Sequence, residues 1–180
     1  MTHCFFILCF ILHISVFRAE AQKYTAEHGE ISFFSDGAIE DIRAKNILVG
    51  SLVNTTSGEL VFIAKIKDFI FPNALMREHF NEKYLETEKY PKSTFQGKLT
   101  GFDPATPEEQ KVKAVGKLQI HGVVREVDVP GFAQIVNGKI SMKATFIVRL
   151  AEYNIKIPSV VWQNIAEEIE LHVNITYKPI

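Results

Sequence analysis

KISMKATFIVRL, residues 139–150, decides the fold class. Ile140, Met142, Ala144, Phe146, Val148 and Leu150 share one face, and Lys139, Ser141, Lys143, Thr145, Ile147 and Arg149 share the other. Only Ile147 breaks a period of two, which is the signature of a strand with one dry and one wet side. The pattern recurs in EIELHVNITY at 168–177, where Ile169, Leu171, Val173, Ile175 and Tyr177 alternate with polar residues. Leu60, Phe62, Ala64 and Ile66 form a third dry face, and Val112, Ala114, Gly116, Leu118 and Ile120 a fourth. One wet and one dry face per strand indicates antiparallel sheet. Further strands are predicted at 30–34, 39–44, 47–53, 93–101 and 123–135. Turns separate them at Thr56-Ser57-Gly58, His121-Gly122 and Asn137-Gly138, the last being a strong hairpin signal. Seven or eight strands at hairpin spacing favour a closed barrel or a sandwich.

One stretch departs from this period. After Pro72, NALMREHFNEKYLETEKYP reads as a helix over about 74–86, with Asn73 as its N-cap and Pro91 as its stop. Leu75, Met76, Phe80 and Tyr84 make an apolar stripe, expected to cover or line one end of the barrel.

The chain has 180 residues, enough for one domain, with 47% hydrophobic and 23% charged residues, so a disordered chain is excluded. Lys+Arg is 20 against Asp+Glu 21, for a net charge of -1. No basic excess marks a nucleic-acid binder. Cys4 to Phe17 is an apolar run ended by Arg18 and followed by Ala19-Glu20-Ala21. It has the length of a signal-peptide core and is short for a membrane span. Residues 1–21 are therefore expected to be a signal peptide and 22–180 the mature domain, beginning at Gln22 and destined for the periplasm or secretion, with no stable membrane insertion after cleavage. An N-terminal membrane anchor is the alternative, and Met1-Thr2-His3 lacks the usual cation. Cys9 follows Phe6-Ile7-Leu8, where a lipidation site wants small residues. Both cysteines, Cys4 and Cys9, fall in the removed part, which leaves the mature chain no thiol chemistry and no disulfide.

Catalytic patterns are missing. His28, His79, His121 and His172 have no metal-ligand spacing among themselves. There is no G-x-S-x-G elbow, P-loop or G-x-G-x-x-G. Asp41, Glu78 and Glu88 have no sequence reason to pair. No enzyme, no metal and no cofactor is expected. What remains is the dry interior. Ala64, Gly97, Ala114, Gly116 and Ala144 are small inward positions that leave room for a ligand, unless Phe62, Phe95 and Phe146 fill it.

Two ordered motifs now resemble a known family. Met76-Arg77-Glu78-His79-Phe80 runs through Glu88-Lys89-Tyr90-Pro91 to Thr94-Phe95. Further on come Leu118, Ile120-His121-Gly122-Val123, Arg125, Val127 and Val129-Pro130. Together they resemble the YceI-like family from about Tyr24 to Tyr177, and Glu152 to Ser159 looks like the variant of Bacteroidetes members. The resemblance implies an all-β fold, an eight-stranded antiparallel lipocalin-like barrel with one short helix insertion. It also implies export and binding of a long isoprenoid, such as a polyprenyl or quinone tail, in an apolar tunnel. Asn154 to Pro158 departs from the more polar stretch of many members, which puts head-group recognition at that strand in doubt. The expected ligand-binding residues are Phe33, Leu60, Phe62, Phe95, Leu118, Met142, Phe146 and Leu171 from the strands, with Leu75, Met76 and Phe80 from the helix. The expected partner is a lipid-like small molecule, not a nucleic acid, and the sequence leaves a dimer open. The competing reading is a non-enzymatic barrel with a filled core, acting through its surface as an interaction or stress-response module.

Overall fold

The alternating segments become strands that close on themselves. The computed structural model describes residues 23–35, 42–157 and 166–180. Its strands are β1 (Lys23–Ser35), β2 (Ile42–Asn46), β3 (Gly50–Asn54), β4 (Glu59–Lys65), β5 (Lys92–Thr100), β6 (Gln110–Ile120), β7 (Val123–Val136), β8 (Lys139–Arg149) and β9 (Glu168–Pro179). All neighbours are antiparallel, in the order β2-β1-β3-β4-β5-β6-β7-β8-β9, and β1 pairs with β9 to close the sheet. β2 and β3 flank the same edge of β1 in one register: Thr25 faces Leu52 and, six residues along each chain, Ile31 faces Asn46. They are two halves of one bent strand, so the molecule is an eight-stranded barrel.

The bend has a local cause. The fully buried Asn46 donates its side-chain amide to the Lys65 carbonyl at 2.9 Å and accepts from the Leu48 N–H at 2.8 Å. That N–H is thereby withdrawn from the ladder. Val49 then packs over Gly29 in the space that any Cβ there would need. The hairpins follow the predicted chemistry. Asn137-Gly138 and His121-Gly122 both take positive φ at two successive residues, as a two-residue turn matched to strand twist requires.

Strand direction defines two ends. The Asn54–Gly58 turn, the 101–109 loop and Asn137-Gly138 sit at one end. The other end carries the insertion after β4, the His121-Gly122 turn and the 3₁₀ turn Leu150–Tyr153. The predicted strand at 30–34 begins earlier, at Lys23, because a β-bulge between Ala26 and His28 shifts its phase. Of the predicted strand at 39–44, residues 39–41 lie outside the described residues, as does the expected signal peptide.

The helix insertion is shorter and less regular than its pattern predicts. α1 covers Ala74–His79, and the Asn73 side chain accepts from the Leu75 and Met76 N–H groups as expected of an N-cap. The chain then widens into a π-turn over Phe80–Tyr84, with the Leu85 N–H bonding the Phe80 carbonyl at 2.9 Å. Asn81 and the buried Thr87 hold this turn by a side-chain hydrogen bond of 2.9 Å. The extra residue turns Phe80 and Tyr84 toward the barrel, while Leu75 stays 56% exposed. Among the described residues, no helix is long and apolar enough to cross a membrane.

Candidate functional site

The interior is hollow. A cavity of about 500 Å³ runs inside the barrel, and its lining includes all eleven residues predicted from the dry faces and the helix stripe. Register explains how they meet. Phe62, Phe95 and Leu118 face one another across β4, β5 and β6. Phe33, Leu171 and Phe146 form a second row across β1, β9 and β8, and Met142 pairs with Ile175 deeper in. Leu60 continues the β4 face. Leu75, Met76 and Phe80 come over one end from the insertion. Leu75 touches the cavity only from its solvent-exposed rim, so the stripe covers the mouth incompletely.

The small inward residues play two roles. Ala64, Ala114 and Ala144 line the cavity and widen it, beside phenylalanines that line the space without filling it. Gly97 and Gly116 do not line it, which corrects the expectation for them. They face each other across β5 and β6, and a Cβ on Gly97 would lie 2.7 Å from the Gly116 Cα. That Cβ would also meet the tip of the Phe95 ring at 2.8 Å. The glycine pair lets two strands approach and lets Phe95 fold along the wall.

The two ends differ. At the hairpin end, Tyr24, Val53, Ala133, Ile140 and Tyr177 are buried and packed as a floor. Tyr177 hydroxyl lies 2.7 Å from Ser51 Oγ, which donates to the Val61 carbonyl at 2.7 Å. Burial pushes the Tyr177 hydroxyl up to about 12, because the phenolate would lose its hydration; the Ser51 hydrogen bond opposes this weakly. At the other end, four rings gather over the mouth. Phe80 stacks on Phe33 at 5.6 Å and meets Phe69 at 5.5 Å and Phe71 at 4.9 Å. Phe69 and Phe71 were not among the predicted residues. Their signal was the apolar-polar-free triplet Phe69-Ile70-Phe71 just before Pro72, which bridges to β2 through Ile70 and Lys45.

A polar clasp fastens this lid. His121, buried at its turn, places Nε2 2.8 Å from Glu86 and Nδ1 3.1 Å from the Tyr153 carbonyl, with the Tyr90 ring 4.5 Å away. Arg125 Nε donates to the Glu152 carbonyl at 2.9 Å. The segment from Asn154 on is not a strand, contrary to the expectation for 154–158. Asn154 takes a left-handed conformation that ends the 3₁₀ turn, and Ile155 points into the cavity; Pro158 lies outside the described residues. Burial also raises the Tyr84 and Tyr153 hydroxyls.

Glu88 is tied to Lys67 on the surface, which holds its carboxyl below the usual range, and Glu78 is exposed. Asp41 lies outside the described residues. His172 is exposed and bonded to Thr145. Among the described residues, no three His, Cys, Asp or Glu side chains are grouped to hold a metal ion.

The model of the YceI-like domain matches residues 16–177. The chain belongs to the YceI-like family. Solved structures agree in fold. A polyisoprenoid binding domain from Saccharophagus degradans, implicated in plant cell wall breakdown, superposes with a TM-score of 0.74 at 14% identity, covering 87% of this chain and 98% of that one. BcnA of Burkholderia cenocepacia gives 0.70 at 13% identity, covering 82% and 95%. The YceI protein of Campylobacter jejuni gives 0.54 at 16% identity, covering 97% and 91%. No curated protein matches the chain.

Proposed function

We propose that this YceI-like protein is an exported carrier or sequestering protein for a long isoprenoid or similar lipid chain. The observation that carries this reading is the apolar cavity of about 500 Å³, floored at one end and roofed by a short aromatic lid at the other. Burial of a hydrocarbon chain there contributes about 0.8 kcal/mol per CH₂-sized group, with no polar constellation needed. The similarity to a polyisoprenoid binding domain supports the same ligand class. A filled barrel acting only through its surface is disfavoured by the open interior. Export rests on residues 1–21, with Gln22 as the first residue of the secreted chain.

Organic extraction of the purified protein followed by mass spectrometry tests the carrier reading. A co-purifying isoprenoid or quinone-like lipid is the expected result. A protein that yields no lipid and takes up no prenyl probe would sink it.

Depth within the cavity gives a sharper prediction. Met142 lies closer to the Tyr177 floor than Phe146 does, since Met142 pairs with Ile175 and Ile140 with Tyr177. Met142→Trp is expected to shorten the blind end. Displacing one or two CH₂-sized groups of a long tail weakens it by about four- to fifteenfold. Short tails that stop above Met142 lose little. Titrating prenyl alcohols of increasing length against both proteins checks this; equal losses at all lengths would argue against tails reaching toward the Tyr177 floor.

A further inference from the structure

We propose that the barrel has a lateral portal between β7 and β8, through which the far end of a long lipid tail leaves the cavity. The proposal rests on the carrier reading and adds a second opening to it. The ladder between these strands is incomplete. β7 pairs with β8 only from Gly131, opposite Ala144, to Val136, opposite Lys139. Beyond that rung, Val123–Pro130 pairs only with β6, and Thr145–Arg149 only with β9. The sequence encodes the split. Pro130 brings no N–H to extend the ladder past Gly131. Higher up, Arg125 of β7 and His121 of the turn before it bond carbonyls of the Leu150–Tyr153 turn, so this end of β7 is strapped to that turn and not to β8.

The cavity reaches this gap. Phe132 and Lys143 alternate with the inward Gly131, Ala133, Met142 and Ala144, so their side chains belong to the outer face, yet both contribute to the cavity lining. Two exposed apolar side chains stand on the outer margin among polar neighbours such as Lys143 and Thr145. Phe132 is 45% exposed and Ile147 51% exposed. Volume gives the tail a reason to leave. At about 30 Å³ per carbon-sized group, taking the share of a water molecule in the liquid as the measure, about 500 Å³ holds on the order of 15 to 20 carbons. A longer polyprenyl tail must emerge, and the Tyr177 floor is closed.

Photo-crosslinking of the full chain tests the portal, with geranyl, farnesyl and solanesyl alcohols carrying a diazirine at the end of the tail. The solanesyl probe is expected to label Phe132, Ile147 or their immediate neighbours, and the geranyl and farnesyl probes only interior residues. Solanesyl labelling confined to the floor or to residues 74–84 would overturn the portal while leaving the carrier reading intact. No interior labelling by any probe would instead defeat the carrier reading. Ile147→Ser lies on the outer face and does not line the cavity, so circular dichroism should show an unchanged fold. It is expected to weaken solanesol binding about fivefold or more through lost apolar contact, with farnesol unchanged. Unchanged solanesol affinity in the folded variant would count against a tail lying across this margin.

Discussion

Phe146→Asp is expected to abolish uptake of a prenyl probe, a loss of a hundredfold or more. Phe146 stands in the row Phe33–Leu171–Phe146, on the wall of the cavity. A carboxylate placed there has two outcomes, both hostile to an apolar tail. If the tail enters, the carboxylate loses its hydration without a partner, at a cost of several kcal/mol. If the carboxylate keeps its water, that water occupies the space the tail needs. A loss of about 2.8 kcal/mol already corresponds to two decades in affinity. Phe62→Asp, in the opposite row with Phe95 and Leu118, should act in the same way. Circular dichroism must accompany the titration, since a half-buried phenylalanine also contributes to the core. A folded Phe146→Asp variant that binds within threefold of the parent would remove the cavity from the mechanism. A variant that unfolds hands the test to Phe146→Ser, which removes the ring without a charge and should still weaken binding.

The strands were legible where a single period ran unbroken. β8 and β9 alternate cleanly, and Asn137-Gly138 announces the hairpin that starts β8. Sequence reasoning went short where the period changes phase. In β1, Tyr24 and Ile31 are both buried although they stand seven positions apart, an odd step, because the bulge between Ala26 and His28 shifts the phase. A pattern search from Ile31 backward therefore loses the first half of the strand. Phe69 and Phe71 escaped for another reason. They sit in irregular chain, where burial is set by what the lid covers and not by any repeat. Gly97 and Gly116 were misread because a missing side chain has two uses: it leaves an interior empty, or it lets two backbones touch. Only the cross-strand register, which placed them opposite each other, decides between these. The gap beside β7 was written in Pro130, but its meaning depends on which neighbour lacks a partner at that rung.

Tyr177 carries the largest stability effect. Its side chain is 1% exposed and closes the floor, with Ile140 paired beside it and Ser51 bonded to its hydroxyl. Tyr177→Ala should cost about 3–5 kcal/mol, the range for emptying a buried aromatic site, and so a large share of the 5–15 kcal/mol that holds a domain together. Urea unfolding measures it directly; a loss under about 1 kcal/mol would mean that the floor does not depend on this ring. The hydroxyl adds a signature in alkali. Its folded value is raised from 10 to about 12, so between those pH values the unfolded chain releases the phenolic proton while the folded chain keeps it. The folded state then binds more protons, and stability falls as pH rises from about 10 to about 12, by about 2–3 kcal/mol in total for this group. Tyr177→Phe keeps the ring and removes the proton. It should cost about 1 kcal/mol near neutral pH through the lost hydrogen bond, since Ser51 still donates to the Val61 carbonyl. In exchange, the part of the alkaline slope due to this group should vanish. Tyr84 and Tyr153, whose values are raised by burial in the same direction, leave a residual slope in the variant. A Tyr177→Phe profile parallel to the parent between pH 10 and 12 would show that the floor admits water to the phenol, and a floor open to water is not one that holds a dry lipid tail above it.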